Sequence, residues 1–217
     1  MLVGHIAVGM LGKRAEPRLS LGLLVFAAML ADILWTGLLY AGIERFDPVP
    51  GAALNRVVGR HIVWSHSLLM GAVWGALLAA AFFWRRRYAR GAWILLAAAV
   101  SHWALDVASH RPDMPIAPGL PWVLGFGLWN SMPATLLVEG GLWLTAIVLY
   151  RHAYRPKNRA AVPGLWGGIV LLTLIWRQNI AAGVDPDPRR AAIGGMVFFL
   201  LIVAWAWWME RAHIRSL

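Results

Sequence analysis

The chain has 217 residues, of which 60% are hydrophobic and only 14% are charged. This composition excludes an ordinary soluble domain and indicates a polytopic membrane protein, long enough for about six spanning helices. The formal charge of +10 does not point to nucleic acid, because the basic residues lie in short loops between apolar runs, where membrane topology and anionic lipids account for them. The absence of Cys excludes disulfides and thiolate metal sites.

In chain order, residues 2–12 are apolar but too short to cross a bilayer, and they predict an N-terminal half-helix or interfacial helix that contains His5. Six longer apolar stretches predict spanning helices: residues 19–42, 61–84, 91–109, 133–150, 163–182 and 191–209. The Trp-containing piece 121–129 predicts an interfacial or re-entrant segment. We therefore predict one all-α transmembrane domain over residues 1–217, a bundle of about six spans.

The third predicted span carries His102 and Asp106, and His110 follows at the same spacing of four residues. Four residues make about one helical turn, so these side chains share one helix face. An imidazole and a carboxylate on one face can bind a divalent metal, and an ionisable side chain inside a membrane indicates function. The alternative is a buried hydrogen-bonded pair that only packs the helix.

Lys and Arg residues are most dense at 85–90 and 151–159, which predicts that these loops and the C-terminus are cytoplasmic. With this topology, ionisable residues of several spans fall in the outer half of the bilayer. These residues are Asp32, His66, His102, Asp106 and Glu139, and His5 joins them if the chain starts outside. Their shared depth predicts one site within the bundle, open to the outer face.

Neutral imidazoles and carboxylates suit a divalent metal, and a His-rich set favours zinc. We predict that some of His5, Asp32, His66, His102 and Asp106 bind the metal. His110 and Glu139 are predicted to orient the ligands or to act in acid–base catalysis, although Glu139 could instead cap its own helix.

The order of these residues resembles the LexA-regulated inner-membrane metal-dependent hydrolases. The matching features are Gly4-His5, Ala31-Asp32, the Ser65-His66-Ser67 triplet, and Ser101-His102 followed by Asp106. The resemblance covers about the first half of the chain, and it implies a bacterial inner-membrane protein with a divalent-metal site and hydrolytic activity. The second carboxylate of the family pattern is missing after Asp32, which argues against a two-metal site.

A lipid or lipid-linked phosphoester is the predicted substrate, because the predicted site lies within the bilayer. Two other classes of protein remain open: a cation or proton transporter that uses the buried His, Asp and Glu side chains, and a non-catalytic scaffold subunit that binds partner helices through its small residues. A conducting path needs polar residues that lead to both faces, whereas here they stop in the outer half.

Overall fold

The computed structural model describes residues 1–48, 57–58, 61–182, 185 and 187–216. Most of these residues are helical, as predicted. The helices are α1 (Leu2–Ala15), α2 (Leu21–Ala28), α3 (Leu30–Tyr40), α4 (Val63–His66), α5 (Leu68–Arg86), α6 (Ala89–Ser109), α7 (Met132–Ala153), α8 (Ala161–Ala182) and α9 (Pro188–Ala212), with a 3₁₀ turn at Leu128–Asn130. Three antiparallel strand pairs join β1 (Asp47–Pro48) to β2 (Val57–Val58), β3 (Met114–Pro115) to β4 (Val123–Leu124), and β5 (Tyr154–Pro156) to β6 (His213–Arg215).

Helix α1 lies at the centre of the bundle, in contact with α2, α6, α7 and α8. Apart from His5, residues 2–12 of this helix are apolar on every side, and a helix of that kind is buried rather than amphipathic. Val3, Ile6 and Ala7 are fully buried in the main core. Gly9 permits a close approach to α2, since a Cβ atom at this position would lie 2.5 Å from a methyl carbon of Val25. Of the two predicted positions, the structure therefore supports a short helix inside the bundle, not an interfacial one.

The first predicted span is divided into α2 and α3, which meet at Met29 and are bent by 56°. No Pro or Gly accounts for this bend. The carbonyl of Ala28, the last residue of α2, accepts a hydrogen bond of 2.8 Å from His102 Nδ1 of α6. A side chain that inserts into the backbone ladder of a helix is one of the known causes of a kink. The predicted span over residues 19–42 is therefore bent at a point that the sequence pattern does not indicate.

The second predicted span is also divided, because Ser67 separates the single turn of α4 from α5. Ser67 has extended dihedral angles, and its hydroxyl accepts a hydrogen bond from the backbone N–H of Met70, which is the geometry of a helix N-cap. His66 therefore belongs to its own short turn at the entrance of α5.

Four helices of the described chain are long and apolar enough to cross a membrane, namely α5, α6, α7 and α9. The bent pair α2–α3 would make a fifth span. Exposed apolar side chains such as Leu77, Leu144 and Leu201 lie on three of these helices, as expected for surfaces that face lipid. An integral membrane bundle is thus supported, and the number of six spans stays a prediction.

Residues 121–129 contain β4 and the start of the 3₁₀ turn, and they fold over the end of α6. The backbone N–H groups of Phe126 and Gly127 donate to the carbonyls of Val107 and His110, each at 2.7 Å. The last carbonyls of a helix have no partner within it, so this segment completes the hydrogen bonding of that helix end. The side chains of Trp122 and Phe126 are 63% and 82% exposed, and their predicted interfacial position stays a prediction.

At the far end of α1, the buried side chain of Lys13 fastens the turn that follows. Its ammonium group donates to the carbonyl oxygens of Pro17 and Leu19 at 3.0 and 2.8 Å and to Glu210 Oε1 of α9 at 2.7 Å. Glu210 also accepts from the backbone N–H of Leu21, the first residue of α2. One ion pair therefore links α1, α2 and α9.

We expect Lys13→Met to lower the free energy of unfolding by about 2 kcal/mol, because it leaves Glu210 and two carbonyl groups without their donor. The value lies below that of a fully buried pair, since the Glu210 side chain is 28% exposed. Thermal or denaturant unfolding in detergent measures the change. Lys157→Met is the control, because Lys157 is exposed. Equal stability of the two variants would contradict this role of Lys13.

Candidate metal centre

The five predicted metal ligands fall into two overlapping clusters inside the bundle. They come from four separate helices: His5 from α1, Asp32 from α3, His66 from α4, and His102 and Asp106 from α6. Two overlapping sets, one with His5, Asp32 and His102 and the other with His66, His102 and Asp106, each have potential ligand atoms within 4.8 Å of one another. These distances are short enough for one divalent ion to contact several of the atoms at bond lengths of about 2 Å.

His102 and Asp106 share one face of α6, as their spacing predicts. The Nε2 atom of His102 lies 3.1 Å from Asp106 Oδ2 and 3.8 Å from Asp32 Oδ1. Because the carbonyl of Ala28 can only accept, the Nδ1 atom of His102 carries the proton of that hydrogen bond. A neutral ring then has its lone pair on Nε2, which is buried and makes no hydrogen bond within the described chain. This nitrogen is therefore available to a cation.

His66 is oriented by a buried chain of hydrogen bonds that starts at Glu44. Glu44 Oε2 accepts from the hydroxyl of Ser65 at 2.7 Å, and Ser65 Oγ lies 2.7 Å from His66 Nδ1. Since the hydroxyl proton of Ser65 is directed at the carboxylate, His66 Nδ1 must be the donor in the second bond. The unprotonated Nε2 atom of His66 then faces Asp32 Oδ1 at 3.5 Å and Asp106 Oδ2 at 4.0 Å.

The carboxylate of Glu44 is itself held in place by the start of α4. Its Oε1 atom accepts hydrogen bonds from the backbone N–H groups of Trp64 and Ser65, at 2.7 and 2.9 Å. A carboxylate that accepts from two backbone N–H groups of a helix turn is held in one orientation. Carboxylate–imidazole arrangements of this type fix the orientation of metal-binding histidines.

The imidazole of His5 stacks on that of His102, with ring centroids 3.7 Å apart and an angle of 9° between the planes. Its Nε2 atom lies 3.2 Å from Asp106 Oδ1. The amino group of Met1 lies 2.7 Å from the same oxygen and 3.1 Å from His5 Nε2. Two stacked imidazoles repel each other if both are protonated, so the neutral form that binds metals is favoured for at least one of them.

The centre carries more negative than positive groups among its proposed ligands and is closed on most sides. Two carboxylates and three neutral imidazoles have a formal charge of −2, and the amino group of Met1 beside Asp106 offsets one of these charges when it is protonated. Asp32 is the most accessible of the five, with 18% of its side chain exposed against 6% for His66 and 1% for His102. Any opening of the site toward the outside therefore lies on the side of Asp32.

The two predicted acid–base residues are not among the clustered ligand groups of the described chain: His110 is at the end of α6 and Glu139 is on α7. His110 follows the last turn of α6, where its Nδ1 atom is 3.1 Å from Asp113 Oδ1 and its ring packs against Trp129. Glu139 is buried on α7, and its Oε1 atom accepts from the backbone N–H of Gly4 at 3.5 Å. Their role in catalysis stays a prediction.

Sequence reasoning missed the supporting groups of the centre. Ser65 was recognised only as part of a triplet, and Glu44 was not singled out, because nothing in its spacing relates it to His66. A Ser directly before a candidate ligand His was the one available signal. The role of the Ala28 carbonyl could not be predicted, because every residue has a backbone carbonyl.

Comparison of the chain with family models, with curated proteins and with solved structures returns no match. The resemblance to the metal-dependent hydrolases therefore stays an expectation that rests on the residues quoted for it.

We expect Glu44→Gln to weaken binding of Zn²⁺ about 10- to 100-fold without removing any ligand, because loss of a supporting carboxylate misorients His66. Ser65→Ala should have an effect of similar size, since it interrupts the same chain of hydrogen bonds. Competition with a fluorescent zinc chelator in detergent measures the affinity.

Ser67→Ala is the matched control. It removes a buried hydroxyl two residues away that caps α5 but is not part of the chain from Glu44 to His66. If all three variants bind Zn²⁺ as the parent does, Glu44 does not position His66.

Proposed function

We propose that this protein is a membrane-bound metal-dependent hydrolase with its metal held by some of His5, Asp32, His66, His102 and Asp106. The observation that carries the proposal is the convergence of these buried groups from four helices. Polar side chains that serve helix packing alone have no reason to share one point. The resemblance to the inner-membrane hydrolases depends on the same residues and supplies the reaction class.

The donor set fits a zinc ion. If the imidazoles are neutral, the Nε2 atoms of His66 and His102 carry lone pairs that lie 4.0 and 3.1 Å from Asp106 Oδ2, an arrangement that a cation between these atoms would stabilise. A catalytic zinc site uses three protein ligands, so five candidates leave two groups to orient the others or to exchange protons. A bound divalent metal would activate water and polarise the oxygen of a substrate.

The side chains around Asp32 are those that a substrate would meet. Trp35 lies three residues further along α3, and its ring contacts His66 edge-on with 6.4 Å between centroids. Its indole N–H is buried and has no acceptor among the described residues. A phosphoester oxygen is an acceptor that this donor could bind, and α3 would thus contribute both a ligand and a substrate contact.

Proton transfer is assigned to Glu139 and His110. Glu139 is a buried carboxyl on the side of α1 that carries His5, and it has one long hydrogen bond to the backbone. His110 is held by Asp113, which orients its imidazole. Glu and His side chains are both common general acids and bases, so either residue could exchange a proton with a substrate.

The proposed substrate is a lipid or lipid-linked phosphoester, and the proposed location is the bacterial inner membrane with a cytoplasmic C-terminus. Three considerations support this assignment: the apolar helices that enclose the centre, the dense basic loops at the opposite end, and the exposed aromatic side chains of Trp122 and Phe126 near the end of α6. Such aromatic residues are typical of the level of lipid headgroups.

A transporter of cations or protons is the alternative, and the packing of α1 argues against it. Residues 6–12 of this helix, between His5 and Lys13, are all apolar or glycine. Ile6 and Met10 belong to the main hydrophobic core, together with Val25 and Met29 of the neighbouring segment. An ion path along α1 would have to cross this layer of packed apolar side chains. A scaffold role leaves the convergence of the ionisable groups unexplained.

We expect the purified protein to contain about one equivalent of zinc or another transition metal, and His102→Ala and Asp106→Ala to lose it. Each variant removes a ligand atom from the centre, so release of inorganic phosphate from a lipid phosphomonoester should fall at least about 100-fold. Elemental analysis in detergent and a phosphate-release assay are the measurements.

His213→Ala is the matched control, because His213 is also buried but lies at the other end of the bundle, where it donates to the carbonyl of Met209. This variant should keep both metal and activity. Helical content measured by circular dichroism separates loss of metal from loss of the fold. A folded parent protein that binds no divalent metal, even after incubation with Zn²⁺, would refute the hydrolase proposal.

A further inference from the structure

A polar cavity of about 350 Å³ lies at the end of the bundle opposite the metal centre. Its lining includes three arginines, one carboxylate and one phenol: Arg18, Arg90, Arg215, Glu16 and Tyr88. Arg90 stands in the first turn of α6, and His102 lies further along the same helix, so the two sites are about 18 Å apart along the helix axis. The cavity is therefore separate from the metal centre.

Glu16 organises the polar groups of this cavity. Its Oε2 atom accepts from the hydroxyl of Tyr88 at 2.6 Å and lies 3.1 Å from Arg90 Nε, while its Oε1 atom accepts from the backbone N–H of Arg18 at 3.1 Å. The hydrogen bond from Tyr88 lowers the pKa of the Glu16 carboxyl, which is therefore ionised at neutral pH. The negative charge of Glu16 therefore pairs with groups of the cavity wall and holds Tyr88 and Arg90 in place.

Three guanidinium groups and one carboxylate leave the cavity with a formal charge of +2. Arg18, Arg90 and Arg215 are all exposed, and they come from three separate parts of the chain: the turn after α1, the start of α6, and β6. The guanidinium of Arg18 lies over the ring of Tyr88, 5.6 Å from its centroid, which limits its rotation. Preorganised guanidinium groups are the side chains best suited to bind a phosphate.

We propose that this cavity binds the phosphate group of an anionic lipid headgroup. Its volume suits a headgroup and not acyl chains. Its position at the start of α6 and just after the end of α9 corresponds to the level of headgroups for two helices that can cross a membrane. Trp84 of α5, which is 77% exposed, lies at the same end of the bundle, as aromatic residues at a membrane interface do.

The test titrates the full-length parent protein in a neutral detergent with three probes at constant ionic strength: short-chain phosphatidylglycerol, short-chain phosphatidylcholine and inorganic phosphate. Thermal unfolding and native mass spectrometry report binding. We expect phosphatidylglycerol to bind at least about tenfold more tightly than either of the other probes. Arg18→Gln and Arg215→Gln should each weaken its binding about tenfold, because each removes a charged donor to the phosphate.

Arg85→Gln is the matched control, since Arg85 is exposed in the last turn of α5 and does not line the cavity. This variant should bind phosphatidylglycerol as the parent does. Equal binding by the parent and by both cavity variants would overturn the site. Equal binding of the two lipids by the parent would overturn the proposed site without any variant. If inorganic phosphate binds as tightly as phosphatidylglycerol, the ligand is free phosphate and not a lipid. Metal content should not change in any of these variants.

Discussion

The carboxylate of Asp106 is an ionisable group inside a bundle of apolar helices, and the arrangement of its neighbours follows from that position. Its Oδ1 atom faces His5 Nε2 and the amino group of Met1, and its Oδ2 atom faces His102 and, at 4.0 Å, His66. A buried carboxylate without compensation costs several kcal/mol or more, so each of these contacts offsets part of its desolvation. The start of α1, the turn of α4 and the bend of the first span all converge on this single charge.

Polar residues cluster at each end of the bundle, and a layer of packed apolar residues separates the two clusters. At one end are the imidazoles and carboxylates around Asp106, and at the other are Lys13, Glu210 and the arginine-lined cavity. The two ends differ in their charge: the first collects acids and neutral imidazoles, and the second collects mainly basic groups. This division of charge is the basis of both proposals, the metal site at one end of the bundle and the headgroup site at the other.

The membrane class and the set of candidate ligands could be predicted from the sequence, because hydrophobicity and the helical spacing of His102 and Asp106 are local properties. The support of His66 by Glu44 could not, since it depends on the path of a loop between two helices. No Pro or Gly near Met29 predicts the bend, because its cause is a side chain on another helix. The sequence left two positions open for α1 for a related reason: a short apolar segment can lie inside a bundle only when longer helices surround it.

Because His102 donates from Nδ1 to the carbonyl of Ala28, the bend between α2 and α3 and the tautomer of His102 depend on each other. If α2 and α3 straightened into one rod, the carbonyl would return to the backbone ladder, and the Nδ1 proton of His102 would lose its acceptor. The Nε2 lone pair would then no longer be fixed toward the carboxylates. The bend at Met29 therefore sets the orientation and tautomer of His102, so a change in the path of this span would also change a candidate metal ligand on another helix.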